Sequence, residues 1–308
     1  MHDVFVQVGE RLGHPVYGWA ARWWELLDSF AAVAHEEPVR STFDAFPNTV
    51  IGKPPQLLYP VDTLPDEIQA GMTELAAAIY AQDVPAGGLG FVTGFTALLG
   101  ERTGAFFASI PPFMRRVTGN ERVAVQIPIR NSGDKDGTHH LHADLFQNRV
   151  LMNVFQRPLA GEGHSYLLHR DIFLAHLARH TSQERLGWIS DILGAVNCDS
   201  DAYDIFWEIV WEQPYSAELR REVESSCIKL NFAPGEGYWV HDGTWLHGRD
   251  YLSNERATFT RLHRWTYNNK QFATQPEHEM ARLADQEALL ETARLNAEAN
   301  APEPAPAP

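Results

Sequence analysis

The sequence predicts a mainly β fold with added helices: a double-stranded β-helix, or jelly roll, with helices packed outside it and one helical insert. Three observations predict it. From about Glu121 the residues alternate with period two, Val123, Val125, Ile127 and Ile129 against Ala124, Gln126 and Pro128, as a half-buried strand requires. Further short strand-like runs follow at 149–156, 164–168, 227–232, 238–240 and 257–267, several of them bounded by Gly, Pro, Asn or Asp. A helical stretch at 171–219 interrupts this series once, whereas a parallel α/β sheet would need regular strand–helix alternation.

Each remaining element follows from its pattern. Residues 1–120 read as mostly helical: 19–35 mixes aromatics with alanines at helical spacing, and 65–82 puts Ile68, Met72, Leu75 and Ile79 on one face behind Thr63-Leu64-Pro65. The glycine-rich stretch 87–100 lacks the spacing of a dinucleotide fingerprint and reads as a loop plus a short helix. The jelly-roll core is expected over 121–268 and a last helix over 276–297, all within one domain, 1–297. The tail 298–308, Glu-Ala-Asn followed by alternating prolines, has too little apolar surface to pack and is expected to be disordered.

Composition narrows the function classes. A net charge of -15 and a pI near 5.3 oppose binding to nucleic acid or an anionic membrane, and Arg115-Arg116 and Arg220-Arg221 are only isolated basic pairs. The first thirty residues show neither a secretory pattern nor a membrane span, so the expected place is the cytoplasm. Cys198 and Cys227 form no Cys-x-x-Cys knuckle and read as two buried thiols of a reducing compartment.

The informative stretch is Thr138-His139-His140-Leu141-His142-Ala143-Asp144. In an extended segment residues i and i+2 share a side, so His142 and Asp144 can reach one ion. About a hundred residues on, His241-Asp242-Gly243-Thr244-Trp245-Leu246-His247-Gly248-Arg249 offers a third ligand from another strand. Two imidazoles and a carboxylate on one face of an octahedron leave positions free for cosubstrate and oxygen, the arrangement of non-haem iron(II) oxygenases. His140-Leu141-His142 also fits the opening of a cupin metal site, but a glutamate about four residues on is replaced by Phe146 and Gln147. His241 is the competing distal ligand; it precedes the turn signal Asp242-Gly243 and ranks below His247.

This set resembles the His-x-Asp…His signature of the taurine dioxygenase superfamily of Fe(II)/2-oxoglutarate-dependent oxygenases, in particular its clavaminate-synthase-like branch. There the distal histidine commonly sits in His-Gly-Arg, as His247-Gly248-Arg249 does here, and an arginine fourteen residues on, here Arg261, binds the far carboxylate of 2-oxoglutarate. Arg261 is in phase with Phe259, His263 and Trp265, which points that face of the strand to the barrel interior, while Arg264 is out of phase and Arg249 is expected to pair with a carboxylate near the metal. Gly161-Glu162-Gly163-His164-Ser165 resembles the family's Gly-Gly-x-Ser/Thr segment and nominates Ser165 for the same carboxylate, although Glu162 stands where the second glycine would. The resemblance covers about 122–268. It implies iron(II) held by His142, Asp144 and His247, with 2-oxoglutarate and O2 as cosubstrates. It also implies oxidation of a C–H bond of a small polar metabolite, an amino acid or natural-product intermediate. Asp144, where halogenating relatives carry glycine or alanine, favours hydroxylation, desaturation or ring formation.

The pocket is expected to draw on 106–116 and the helical insert, Trp245 and Trp265 either line it or pack beneath it, and the last helix can serve a homodimer. The alternatives are a cupin-like metal enzyme that does not use 2-oxoglutarate, and a non-enzymatic jelly-roll binding protein.

Overall fold

The computed structural model describes residues 3–35, 40–41, 57–119, 123–130, 139–142, 149–157, 163–184, 186–187, 216–241, 244–249 and 260–268. Asp144, Cys198, the expected helix at 276–297 and the tail 298–308 lie outside them, as does most of the insert.

Eight strands carry the jelly roll: β6 (Ala124–Arg130), β7 (His139–His142), β8 (Arg149–Phe155), β9 (Ser165–His169), β10 (Ile228–Leu230), β11 (Gly237–His241), β12 (Trp245–Arg249) and β13 (Thr260–Asn268). The chain passes between two sheets as it goes: β6, β8, β11 and β13 join the large sheet, and β7, β9, β10 and β12 form the small one in the order β10-β9-β12-β7. This interleaving is the double-stranded β-helix expected from the period-two pattern. The strand over 245–249 extends the series of expected strands, and β13 is described from Thr260 onward.

The amino-terminal region corrects one expectation. Its described residues hold five strands as well as helices, and three of them, β1 (Phe5–Arg11), β2 (His14–Trp19) and β5 (Leu89–Val92), extend the large sheet to β1-β2-β5-β11-β8-β13-β6. A short pair, β3 (Arg40–Ser41) and β4 (Leu57–Leu58), stands apart. The stretch expected to begin as a loop at Gly87 is thus a central strand, and only Phe95–Leu99 is the short helix, α3. With four residues, all buried, β5 is too short to show an alternation. The β1–β2 hairpin is tied down by Gln82, whose amide oxygen accepts from the Val4 and Phe5 backbone N–H groups at 2.9 and 3.0 Å while its nitrogen donates to Phe5 O at 3.0 Å.

Helices α1 (Trp24–Val33), α2 (Asp66–Ala81) and α4 (Thr103–Thr118) cover the outer face of the large sheet. On α2 the buried residues are Ile68, Met72, Leu75, Ala76 and Ile79, the stripe expected from their spacing, each large one worth roughly 1.5–3 kcal/mol of burial. Asp66 and Glu67 occupy its first turn, where the helix dipole favours negative charge. Segment 106–116, expected to border a pocket, is instead the buried middle of α4: Phe106, Phe107, Ile110, Phe113 and Met114 are at most 1% exposed. Pro111 and Pro112 lie inside this helix and cannot donate to the carbonyls four residues back. Those two carbonyls are used elsewhere, Phe107 O accepting from the Trp265 indole at 2.8 Å and Ala108 O from the Tyr59 N–H at 3.0 Å.

The outer face of the small sheet carries the ends of the insert, α5 (Arg170–Leu177) and α6 (Ser216–Ser226), which pack on each other with Phe173, Leu177, Leu219 and Val223 buried. The Glu222 carboxylate clamps the pair, lying 3.3 Å from ring nitrogens of His176 and His180 and 3.4 Å from the Arg179 guanidinium. Cys227, just past α6, is half-buried, and burial pushes its thiol up to about 12, so it stays protonated and unreactive.

Candidate active site

Strand β12 is buried along its whole length, and its middle residue, His247, is 2% exposed. Pairing places His247 opposite His142 on β7 and opposite Leu167 on β9. Opposite residues of an antiparallel pair share a face, with Cβ atoms about 4.5–5.5 Å apart. Histidine at two positions so paired is compatible with one shared ion at metal–nitrogen distances of about 2.0–2.1 Å.

The face they share looks between the two sheets. Leu167 and Trp245 on the small sheet and Tyr238, Val240, Leu151, Phe155 and Leu262 on the large one form one apolar cluster, and the Tyr238 ring centroid lies 6.5 Å from that of His247. Ser165 is 3% exposed and opposite Arg249, two residues beyond His247 and itself 8% exposed. The register therefore puts His142, His247, Ser165 and Arg249 on the inner face of the small sheet. Asp144 follows two residues after His142, outside the described residues. Among the described residues no three His, Cys, Asp or Glu side chains gather as a metal cluster. The backbone register thus sets a histidine position of β7 opposite a histidine position of β12, with Asp144 two residues after the first in sequence.

The large sheet corrects the reading of β13. His263 and Trp265 face the helices: Trp265 stacks on Phe107 with centroids 4.0 Å apart, and His263 lies 5.6 Å from the same ring. The phase of His263 and Trp265 is therefore the outer one, because packing with α4 supplies apolar neighbours on that side too. The register against β6 slips by one residue between Thr260 and Leu262, so Arg261 sits at a bulge, where strict alternation is suspended.

The inner phase contains Leu262, Arg264 and Thr266. Arg264 is opposite Asn153 on β8, Asn153 is opposite Tyr238 on β11, and the Arg264 Nε donates to Asn153 Oδ1 at 2.9 Å. Asn153 is fully buried, and its Nδ2, like the Oγ1 of buried Thr266, has no hydrogen-bond partner among the described residues. This polar row was missed in the sequence, although an asparagine inside the apolar run Val150-Leu151-Met152-Asn153-Val154-Phe155 is a signal. Gly237 keeps β11 and β8 in contact beside it, since a Cβ there would lie 1.7 Å from the Asn153 carbonyl oxygen.

Two competitors resolve. His241 is in phase with Trp239, which packs toward the helices, and its Nδ1 pairs with Thr244 Oγ1 at 3.0 Å. Trp265 packs under the helices, whereas Trp245 belongs to the inner cluster, meeting His14 and His169 edge-on at 5.3 Å and donating to Gly87 O at 2.7 Å. Among the described residues no helix is long and apolar enough to cross a membrane.

No family model and no curated protein matches the chain. Among solved structures it is similar to an asparagine oxygenase in complex with Fe(II), 2S,3S-3-hydroxyasparagine and succinate, at 10% identity over 82% of this chain and 93% of that one, with a TM-score of 0.40. It is also similar to the non-haem iron oxygenase OrfP in complex with Fe and alpha-ketoglutaric acid, at 11% identity over 82% and 93% of the two chains, with a TM-score of 0.36. Similarity of this degree leaves the chemistry to be judged from the site itself.

Proposed function

We propose that this chain is an Fe(II)/2-oxoglutarate-dependent oxygenase that hydroxylates a C–H bond of a small polar metabolite, an amino acid or natural-product intermediate. The observation that carries the reading is the cross-strand pairing of His247 with His142, two positions more than a hundred residues apart that share the inner face of a jelly roll. In this reading His142, Asp144 and His247 hold the iron, Arg261 binds the far carboxylate of 2-oxoglutarate by a bidentate ion pair, and Ser165 assists it. The bound metal would supply oxygen activation: one oxygen atom of O2 enters succinate as carbon dioxide leaves 2-oxoglutarate, and the other enters the substrate.

The protein's own contribution is positioning. In this reading two strands in fixed register hold the two histidine positions opposite each other, and the apolar wall of Leu167, Tyr238 and Val240 keeps water from the reacting atoms. The reading further takes 1–297 as one catalytic domain acting in the cytoplasm.

Anaerobic titration of the iron(II)-loaded protein with 2-oxoglutarate tests it. A weak visible charge-transfer band is expected in the wild type and absent in folded His247→Ala. A folded, iron-loaded wild type that gives no band contradicts the proposal.

A further inference from the structure

Helix N-caps are ordinarily Ser, Thr, Asp or Asn, whose side-chain oxygens accept from the first turn at any physiological pH. The cap of α5 is a histidine. His169 ends β9, takes extended backbone angles and accepts the Asp171 N–H at its Nδ1 at 3.2 Å. An imidazole nitrogen accepts only while it is unprotonated, so this cap exists only in the neutral ring, with the proton on Nε2. The side chain is 29% exposed, and solvent protons reach it without unfolding.

The same residue joins α5 to the barrel. His169 is opposite Trp245 on β12, their rings meet edge-on at 5.3 Å, and the Arg170 N–H donates to Thr244 O at 2.8 Å. The far end of α5 and the turn after it are held by the Glu222 clamp. Contact with His180, then with His176 and Arg179, keeps the Glu222 carboxyl below its ordinary range, so it remains an anion where imidazoles change charge. A proton acts in opposite senses at the two ends. At His180 it meets the Glu222 anion. At His169 it removes the acceptor and sets a cation against the positive end of the helix dipole.

The other charged and titratable groups around His169 do not reverse that sign. Asp171 Oδ2 lies 3.8 Å from Nδ1, but this carboxylate is exposed and shared with Arg170 at 3.6 Å, so its attraction for a protonated ring is screened. Beyond Trp245 stand His14, with Glu10 acting on it, and beside Thr244 stands His241. Lys229 of β10 lies over Tyr166, out of phase with His169.

We infer that His169 is a proton-operated cap: protonation releases the first turn of α5 from β9 and from the start of β12, while the Glu222 clamp stays closed. Trp245 stands two positions before His247, so the same proton changes the packing beside the candidate site. That consequence rests on the proposed oxygenase reading; the cap itself does not.

Amide hydrogen exchange of the full chain, without added metal, tests the cap from about pH 8 to about pH 5.5, a span in which imidazoles change charge. After correction for the intrinsic rate, protection at Asp171, Phe173 and Leu174 should fall roughly five- to tenfold in wild type, the ratio that loss of an N-cap carries. His169→Asn keeps an acceptor that does not titrate, so its protection should stay level, while His180→Gln should retain the wild-type fall. His169→Asp, whose acceptor also persists over this span, repeats the test if His169→Asn does not fold. A level wild-type profile, an equal fall in His169→Asn, loss of the fall in His180→Gln, or a fall shared by α2 and β11 would overturn the cap. Failure of the oxygenase reading is distinct: the iron-loaded protein would give no charge-transfer band, and these profiles would be unchanged.

Discussion

His263 lies on the helix-facing side of β13, 5% exposed, with its Nε2 donating to Gln156 Oε1 at 2.9 Å. Burial pushes its pKa down to about 4, against 6.5 for a free imidazole. Between those values the unfolded chain takes up a proton that the folded chain refuses, so stability falls as pH drops through that window, by about 3 kcal/mol in total, and is unaffected above it. Urea unfolding from pH 7.5 to 4.5 should show this loss in wild type and a flatter profile in His263→Gln, which keeps a donor for Gln156. Parallel profiles would contradict the assignment. At the same scale, His142, Asp144 and His247 stood out in the sequence because metal chemistry restricts residue type and spacing; the structure describes two of these positions, 142 and 247, and pairs them across β7 and β12. Asn153 and Arg264 did not stand out, because one polar residue in an apolar strand acquires meaning only once its face is known.

Among the elements, α4 shows how local rules and tertiary structure accommodate each other. Two adjacent prolines inside a helix normally argue for its end, yet this helix runs through Pro111 and Pro112 because Trp265 and Tyr59 use the released carbonyls. Trp265→Phe keeps the stacking on Phe107 but leaves its carbonyl unsatisfied in the core. It is expected to cost about 2 kcal/mol, read as a lower denaturant midpoint with an unchanged slope. An unchanged midpoint would mean that the bond contributes nothing. Periodicity gave α2 nearly to the residue, since it has one wet and one dry face, whereas the core strands, buried on both faces, were bounded by the turn residues that flank them. It misled on β13, where both faces are buried and alternation cannot say which side is the interior. It was silent on β5, whose four residues are all buried.

For the molecule as a whole, the jelly roll was legible from short strands and a single interruption. The joining of an amino-terminal hairpin and β5 to the same sheet was not, because it depends on contacts such as those of Gln82 with Val4 and Phe5 across more than seventy residues. What that assembly accomplishes is to bring β12 against β7 in a register that pairs position 247 with position 142. The most direct test is the metal stoichiometry of the full chain, measured anaerobically with iron(II) in wild type, His142→Ala and His247→Ala, with the folded state of each checked by circular dichroism. One equivalent per chain in wild type, lost equally in both variants, is the predicted result. Stoichiometric iron retained in either folded variant would contradict the shared site.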